Sequence, residues 1–199
     1  MNRPQQSGRD DGGQPAARFG IMRAMTTQPH WSDILPLPAG RLADCIGTQG
    51  SLTEYLMASG QPFAVQVLAQ GETAVLPDEQ EILQVSANTM VYARHVCLTL
   101  AGEPVVVARS VTRPDCQVWR PILERGARSL GFTLFGGLPE LQRDALQFAE
   151  VQAPHGLYQL AAGHAANPAL LARRCRFALD AAPLLVCEVF LPALENYLK

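Results

Sequence analysis

Two arginines and one glutamate stand where apolar residues belong. In MVYARHVCLTLAGEPVVVARSV (90–111), two strand-like runs flank an Ala-Gly-Glu-Pro turn, and each run carries one arginine, Arg94 and Arg109. Alternate residues of a strand share a face, so Arg94 lies with Met90, Tyr92, Val96, Leu98 and Leu100 and points into an apolar surface. A four-residue turn from Ala101 to Pro104 sets Val96 opposite Arg109 and Arg94 opposite Val111, which puts both arginines diagonally on one face. An unpaired buried guanidinium is costly, so each requires an anion. Two kinds are open: a carboxylate of the protein itself, or the carboxylate of a ligand, which a planar guanidinium grips through two parallel hydrogen bonds. The segment PALLARRCRFALDAAPLLVCEVFL (168–191) poses the same question with the opposite sign. With Asp180 to Pro183 as its turn, Glu188 shares a face with Leu184, Val186, Phe190, Phe177 and Leu179, while Arg174 and Arg176 point the other way. A glutamate in that setting is either ion-paired with Arg94, Arg109 or Arg173, or aimed at a ligand hydroxyl with its acidity set by burial. A one-residue slip in either turn flips every face, so both readings rest on register.

Other chemistries find little support. The five cysteines (Cys45, Cys97, Cys116, Cys175 and Cys187) are odd in number and scattered, with no C-x-x-C pair and no histidine at ligand spacing. They read as reduced thiols of a cytoplasmic protein, and Cys97, Cys175 and Cys187, inside strand-like runs, as small buried hydrophobes. His30, His95, His155 and His164 form no cluster, and Lys199, the sole lysine, leaves no internal Schiff-base candidate. Without a metal constellation, the chemistry falls to side chains and shape. A formal net charge of -2, from 16 basic and 18 acidic residues, without a basic run interleaved with aromatics, argues against nucleic acid as a partner. No stretch of about eighteen apolar residues suits a membrane span, and no apolar segment behind a basic start suits secretion.

The elements that must position these side chains follow from pattern. At 199 residues and 48% hydrophobic content, one domain with a real core is the expectation. Residues 1–29, rich in Gly, Gln, Arg and Pro, read as a disordered tail, and residues 30–199 as the domain. Met22 and Met25 lie just before the regular pattern begins at Trp31, which makes a later translation start an expectation to test at the native N-terminus. SLTEYLMASG (51–60) predicts a helix with Ser51 as N-cap, Glu54 three residues on and Gly60 as the stop. PFAVQVLAQ (62–70) alternates like a strand, 119–137 reads as helical segments broken by Pro121, Gly126 and Gly131, and 144–152 fits either helix or strand, with strand preferred. Successive hairpins with helices clustered between them predict an α+β fold, an antiparallel sheet with helices packed on one face.

Taken together, SLTEYL, YARHVCLTLAGEPVVVARSVTRP, RSLGFTLF, LQRD, ARRCRF and PLLVCEVFLP resemble, in order and from about Trp31 to Leu198, the chorismate lyases of bacterial ubiquinone synthesis. The resemblance implies an antiparallel sheet of about six strands with helices on one side, enclosing a ligand cavity closed by helical flaps. It implies conversion of chorismate to 4-hydroxybenzoate and pyruvate without a metal or organic cofactor; separately, a monomer in the cytoplasm is the expectation. Carried over position by position, it puts the ligand-contacting arginine at Arg94 and the glutamate at Glu188, both catalytic. A Leu-Gly backbone contact falls on Leu130, and a flap position, methionine in the family, on Leu52. Arg109 is then either a contact to the enolpyruvyl carboxylate or a support behind Arg94. A non-catalytic effector-binding domain of similar fold is the alternative, although the short polar tail cannot supply the winged helix that usually precedes one. The connection 155–169 is longer than such a family usually has.

Overall fold

The computed structural model describes residues 28–198, so the tail expected over 1–29 lies outside the described residues except for Gln28 and Pro29, as do Met22 and Met25. In chain order the elements are α1 (Arg41–Ile46), α2 (Leu52–Met57), β1 (Phe63–Ala74), a 3-10 turn (Pro77–Glu79) running into α3 (Gln80–Leu83), β2 (Met90–Leu100) and β3 (Glu103–Thr112). They continue with α4 (Arg120–Leu123), α5 (Leu130–Phe135), β4 (Gln142–Arg143), β5 (Gln147–Gln152), α6 (Gly156–Ala161), β6 (Ala169–Leu179), β7 (Ala182–Phe190) and a closing 3-10 turn (Pro192–Tyr197). The sheet is antiparallel with the order β1-β2-β3-β7-β6-β4, and β5 also pairs with β6. Local chemistry explains the boundaries. The Ser51 hydroxyl accepts from the Glu54 amide and caps α2, Leu52 and Leu56 bury its inner side, and Gly60 ends the segment at a φ of 75° that suits glycine.

Both long hairpins turn on two residues rather than four. Ala101 and Gly102 take left-handed φ values of 49° and 85°, pairing Leu100 with Glu103, while Asp180 and Ala181 (50° and 59°) pair Leu179 with Ala182. Such turns match the twist of the strands they join. In the first hairpin a register shift follows at once: Thr99 faces Pro104 but Leu98 faces Val106, so Val105 is an extra residue. Arg94 therefore faces Ser110, and Arg109 faces His95. The expectation that Arg94 and Arg109 share a face is corrected: they point to opposite sides of the sheet. In the second hairpin the register differs from expectation by two, which preserves alternation, and Glu188 stays on the side of Leu184 and Phe190.

The central strands β2, β3 and β7 bury both faces. Helices α1, α2, α4 and α5 and the closing turn cover one face, where Leu56, Trp119, Leu123, Leu134 and Leu194 pack with Val96, Leu98, Leu184 and Phe190. Helices α3 and α6 cover the other, where Leu83, Leu157 and Ala161 meet Val107, Leu185 and Val189. Helices thus pack on both faces, correcting the one-sided arrangement. Runs such as VVVA and LLVC, apolar at consecutive positions, need cover on both sides. The long 155–169 connection supplies α6, which covers the face opposite Glu188.

Candidate active site

Arg94 rises from the middle of β2 and is 3% exposed. One terminal nitrogen, Nη2, donates to the carbonyls of Gly126 (2.6 Å) and Arg128 (3.1 Å), in the loop that leads into α5. Its Nε is buried with no hydrogen-bond partner, and no carboxylate lies within ion-pair distance among the described residues. Burial lowers its pKa, because the charged form has lost water without gaining a counter-ion. A buried cation with an idle N–H is a costly arrangement unless an anion completes it.

Across the same face, Glu188 of β7 pairs with Arg173 of β6, directly opposite in the ladder, with Arg173 Nε donating to Oε2 at 2.5 Å. Of the partners open to Glu188 in the sequence, Arg173 is the one the fold selects. Arg173 also donates through Nη1 to the carbonyls of Ile46 (2.8 Å) and Thr48 (3.2 Å), binding the end of α1 to the sheet. One Glu188 oxygen, Oε1, makes no such contact, and the carboxylate borders a cavity of ≈ 40 Å³. Leu52 and Thr53 of α2, Gly131 of α5, Arg143 of β4 and Val186 of β7 also line that cavity. Cys45 lies nearby. Burial, partly offset by the Arg173 charge and aided by Glu188, pushes its thiol up to about 12, so it packs as a hydrophobe and is no nucleophile.

The roof consists of α2 and α5, whose first residues are Leu52 and Leu130. A Cβ on Gly131 would lie 2.7 Å from Ser51 Oγ and 2.8 Å from Thr53 Oγ1, so the two helices approach this closely only because the residue is glycine. Thr53 Oγ1 and Ser129 Oγ, 2.5 Å apart, close the seam. A volume of ≈ 40 Å³ accommodates little more than water, against roughly 300 Å³ or more for typical ligand pockets. A substrate-sized guest therefore requires α2 and α5 to separate. A wider cleft of ≈ 360 Å³ opens beside Arg174 and Arg176, but Asp78 and Asp144 already match those charges.

Arg109 does not join this site. It lies on the opposite face, 3% exposed, donating from Nε to Glu79 Oε1 (2.6 Å) and from Nη2 to Oε2 (2.8 Å), with Nη1 against His95 Nε2 (2.8 Å). Glu79 is itself 1% exposed. The assignment of Arg109 to substrate is corrected: its anion is a protein carboxylate. The structure thus brings Glu188 and Leu52 to one cavity, puts Arg94 beneath the loop that leads to Leu130 on the same face, and removes Arg109. Arg143 and Arg173 were not singled out as site residues, although LQRD and ARRCRF, which contain them, carry part of the family pattern.

A twisted antiparallel sheet with short helices closing over a buried acid and guanidinium defines an α+β small-molecule site. Residues 25–197 match the profile described as chorismate lyase, and the chain belongs to the chorismate lyase family. The probable chorismate pyruvate-lyase of Albidiferax ferrireducens is 44% identical over 156 residues, covering 73% of this chain and 78% of the relative. That of Thiobacillus denitrificans is 40% identical over 184 residues, covering 90% and 97%. Among solved structures, the effector domain of PhnF from Mycobacterium smegmatis superposes with a TM-score of 0.50 at 15% identity, over 78% of this chain and 91% of that one, a likeness of fold alone. Among the described residues no helix is long and apolar enough to cross a membrane.

Proposed function

We propose that this chain converts chorismate to 4-hydroxybenzoate and pyruvate, the committed step toward ubiquinone, and that Arg94 and Glu188 are its catalytic residues. One observation carries the reading: a buried guanidinium with an idle Nε shares a sheet face with a glutamate that borders a cavity and has one carboxylate oxygen outside its pair with Arg173. Chorismate presents matching groups, a ring carboxylate for Arg94 and a ring hydroxyl for Glu188. In the reaction the carbon bearing that hydroxyl loses its hydrogen and the bond from the neighbouring carbon to the enolpyruvyl oxygen breaks. The ring becomes aromatic, and the released enol gains a proton at its methylene to give pyruvate. The substrate supplies the driving force. The protein's task is to desolvate it, hold it in a reactive pose and stabilise charge at the departing oxygen. Arg173 fixes Glu188 toward the cavity, and the Leu52 and Leu130 segments close over the ring. The substitution of Leu52 for the family methionine is nearly neutral if the contact is through backbone or volume, since the swap conserves volume. All these groups come from one chain, which suits a monomer, and five buried free thiols suit the cytoplasm.

The test is direct: mix the protein with chorismate and follow the absorbance of 4-hydroxybenzoate. Turnover is expected, and Glu188→Gln, which keeps shape and removes charge, should slow it roughly 100-fold. Tight binding of 4-hydroxybenzoate without turnover would instead mark a sensor, and an unchanged rate in Glu188→Gln would reduce Glu188 to orienting the ring.

A further inference from the structure

With Arg109 committed to Glu79, the second carboxylate of a substrate such as chorismate lacks a partner, and the arginines of the cavity face supply one. Arg94 rises from that face, and Arg173 and Arg143 line the cavity. Arg173 is matched by Glu188. Arg143, from the short strand β4, is not matched by any carboxylate among the described residues. Its Nε donates to Cys175 Sγ (3.4 Å), its Nη1 donates to the Gln49 carbonyl, and its guanidinium lies 5.2 Å from the Phe135 ring centre and 5.9 Å from that of Phe177. Aromatic faces hold a cation in place without neutralising it, and leave its in-plane donors free for a carboxylate. Cys175 contributes a weak acceptor, and its thiol is held up by burial, so it offers no counter-charge.

Placement completes the case. Arg94 faces Ser110, Ser110 faces Val186, and Val186 faces Cys175, the residue that Arg143 touches. Arg143 itself sits one strand further out, on β4 opposite Phe177, so its backbone lies four strand spacings, about 19 Å across the strands, from that of Arg94, and its side chain lines the cavity that Glu188 borders. Glu188 lies on a strand between the two arginines, two residues along β7 from Val186.

We infer that Arg143 binds the enolpyruvyl carboxylate, the group that leaves with pyruvate, and so separates substrate from product. This inference rests on the chorismate reading and adds a residue to it. Its distinctive consequence is asymmetry, because 4-hydroxybenzoate lacks that carboxylate. Arg94 contributes to holding both molecules, whereas Arg143 holds chorismate alone.

The experiment compares wild type, Arg143→Gln and Arg143→Lys in two assays: kcat/KM for chorismate, and equilibrium binding of chorismate and of 4-hydroxybenzoate. Circular dichroism and thermal midpoints verify folding. Arg143→Gln should lower kcat/KM and chorismate affinity about 100-fold while leaving 4-hydroxybenzoate affinity within about threefold, and Arg143→Lys should recover part of the loss. Equal weakening of both ligands, or no change in either, overturns the assignment. A wild-type chain that binds chorismate through Arg143 yet does not turn it over would sink the lyase reading and leave this one standing.

Discussion

Arg94 and Arg109 occupy adjacent strands, are equally buried at 3% exposure, and have opposite fates. Arg109 is saturated: a two-point pair with Glu79, His95 on Nη1, and the Ala74 carbonyl at 3.4 Å. Arg94 meets two loop carbonyls and keeps an idle Nε. The sheet thus has a closed face, where charges are resolved internally and α3 and α6 seal the core, and an incomplete face, where short helices roof a charge that lacks its counter-ion. Burial of an arginine therefore says little about its role. What distinguishes structure from function is whether the anion is already part of the chain.

The comparison breaks first at Arg109. Arg109→Met leaves Glu79 buried and uncompensated, at a cost of about 3–5 kcal/mol, a large share of a domain's stability. Chemical denaturation should show that loss, and adding Glu79→Met should restore most of it, since a well-packed apolar pair often replaces a buried ion pair without penalty. A stable single mutant would mean that Arg109 is not held as the geometry indicates. Arg94→Ala should do the reverse. With no carboxylate to strand, it should change stability little, but kcat/KM for chorismate should fall by roughly 100- to 1000-fold as a substrate carboxylate loses its buried partner. Near-wild-type turnover in a folded Arg94→Ala protein would remove Arg94 from the site.

Much of this was legible from pattern. Ser51 and Glu54 announce α2, alternation announces β1, β5 settles a segment that pattern left between helix and strand, and the placement of Glu188 holds although its turn is two residues shorter than supposed. The first hairpin's turn is shorter by the same two residues, a change that also preserves faces. The single extra residue at Val105 flips them. Nothing in the run Val105-Val106-Val107 signals a bulge, because every register buries a valine, and a strand apolar on both sides lacks the contrast that fixes register. Glu79 was hidden for another reason: PDEQE looks like a solvated acidic turn, and only the return of the chain through β1 and β2 carries it to Arg109. Pairing across the sheet is a tertiary fact without a local sequence trace.

The finest discriminator between the two faces is proton uptake by His95. Arg109 Nη1 can only donate, so His95 Nε2 must accept, which leaves the ring neutral with its proton on Nδ1. Burial first, and then the adjacent Arg109 charge, push the His95 pKa from 6.5 down to about 4. Between those values the unfolded chain binds a proton that the folded chain refuses, so stability falls as pH drops from 6.5 toward 4. From pH 7 to 5.5 the loss should be about 1 kcal/mol, and His95→Gln, which keeps an acceptor but cannot titrate, should show a correspondingly flatter profile. Asp78 does not intrude on this window. Burial raises its pKa, but the His155 and Trp31 hydrogen bonds and the Arg174 charge outweigh that and hold it below 3.8, so its contribution is lost only at more acid pH. Urea midpoints of the two proteins at pH 7 and 5.5 decide the matter. Parallel profiles would mean that His95 does not feel the Arg109 charge, and that the closed face is less closed than its hydrogen bonds imply.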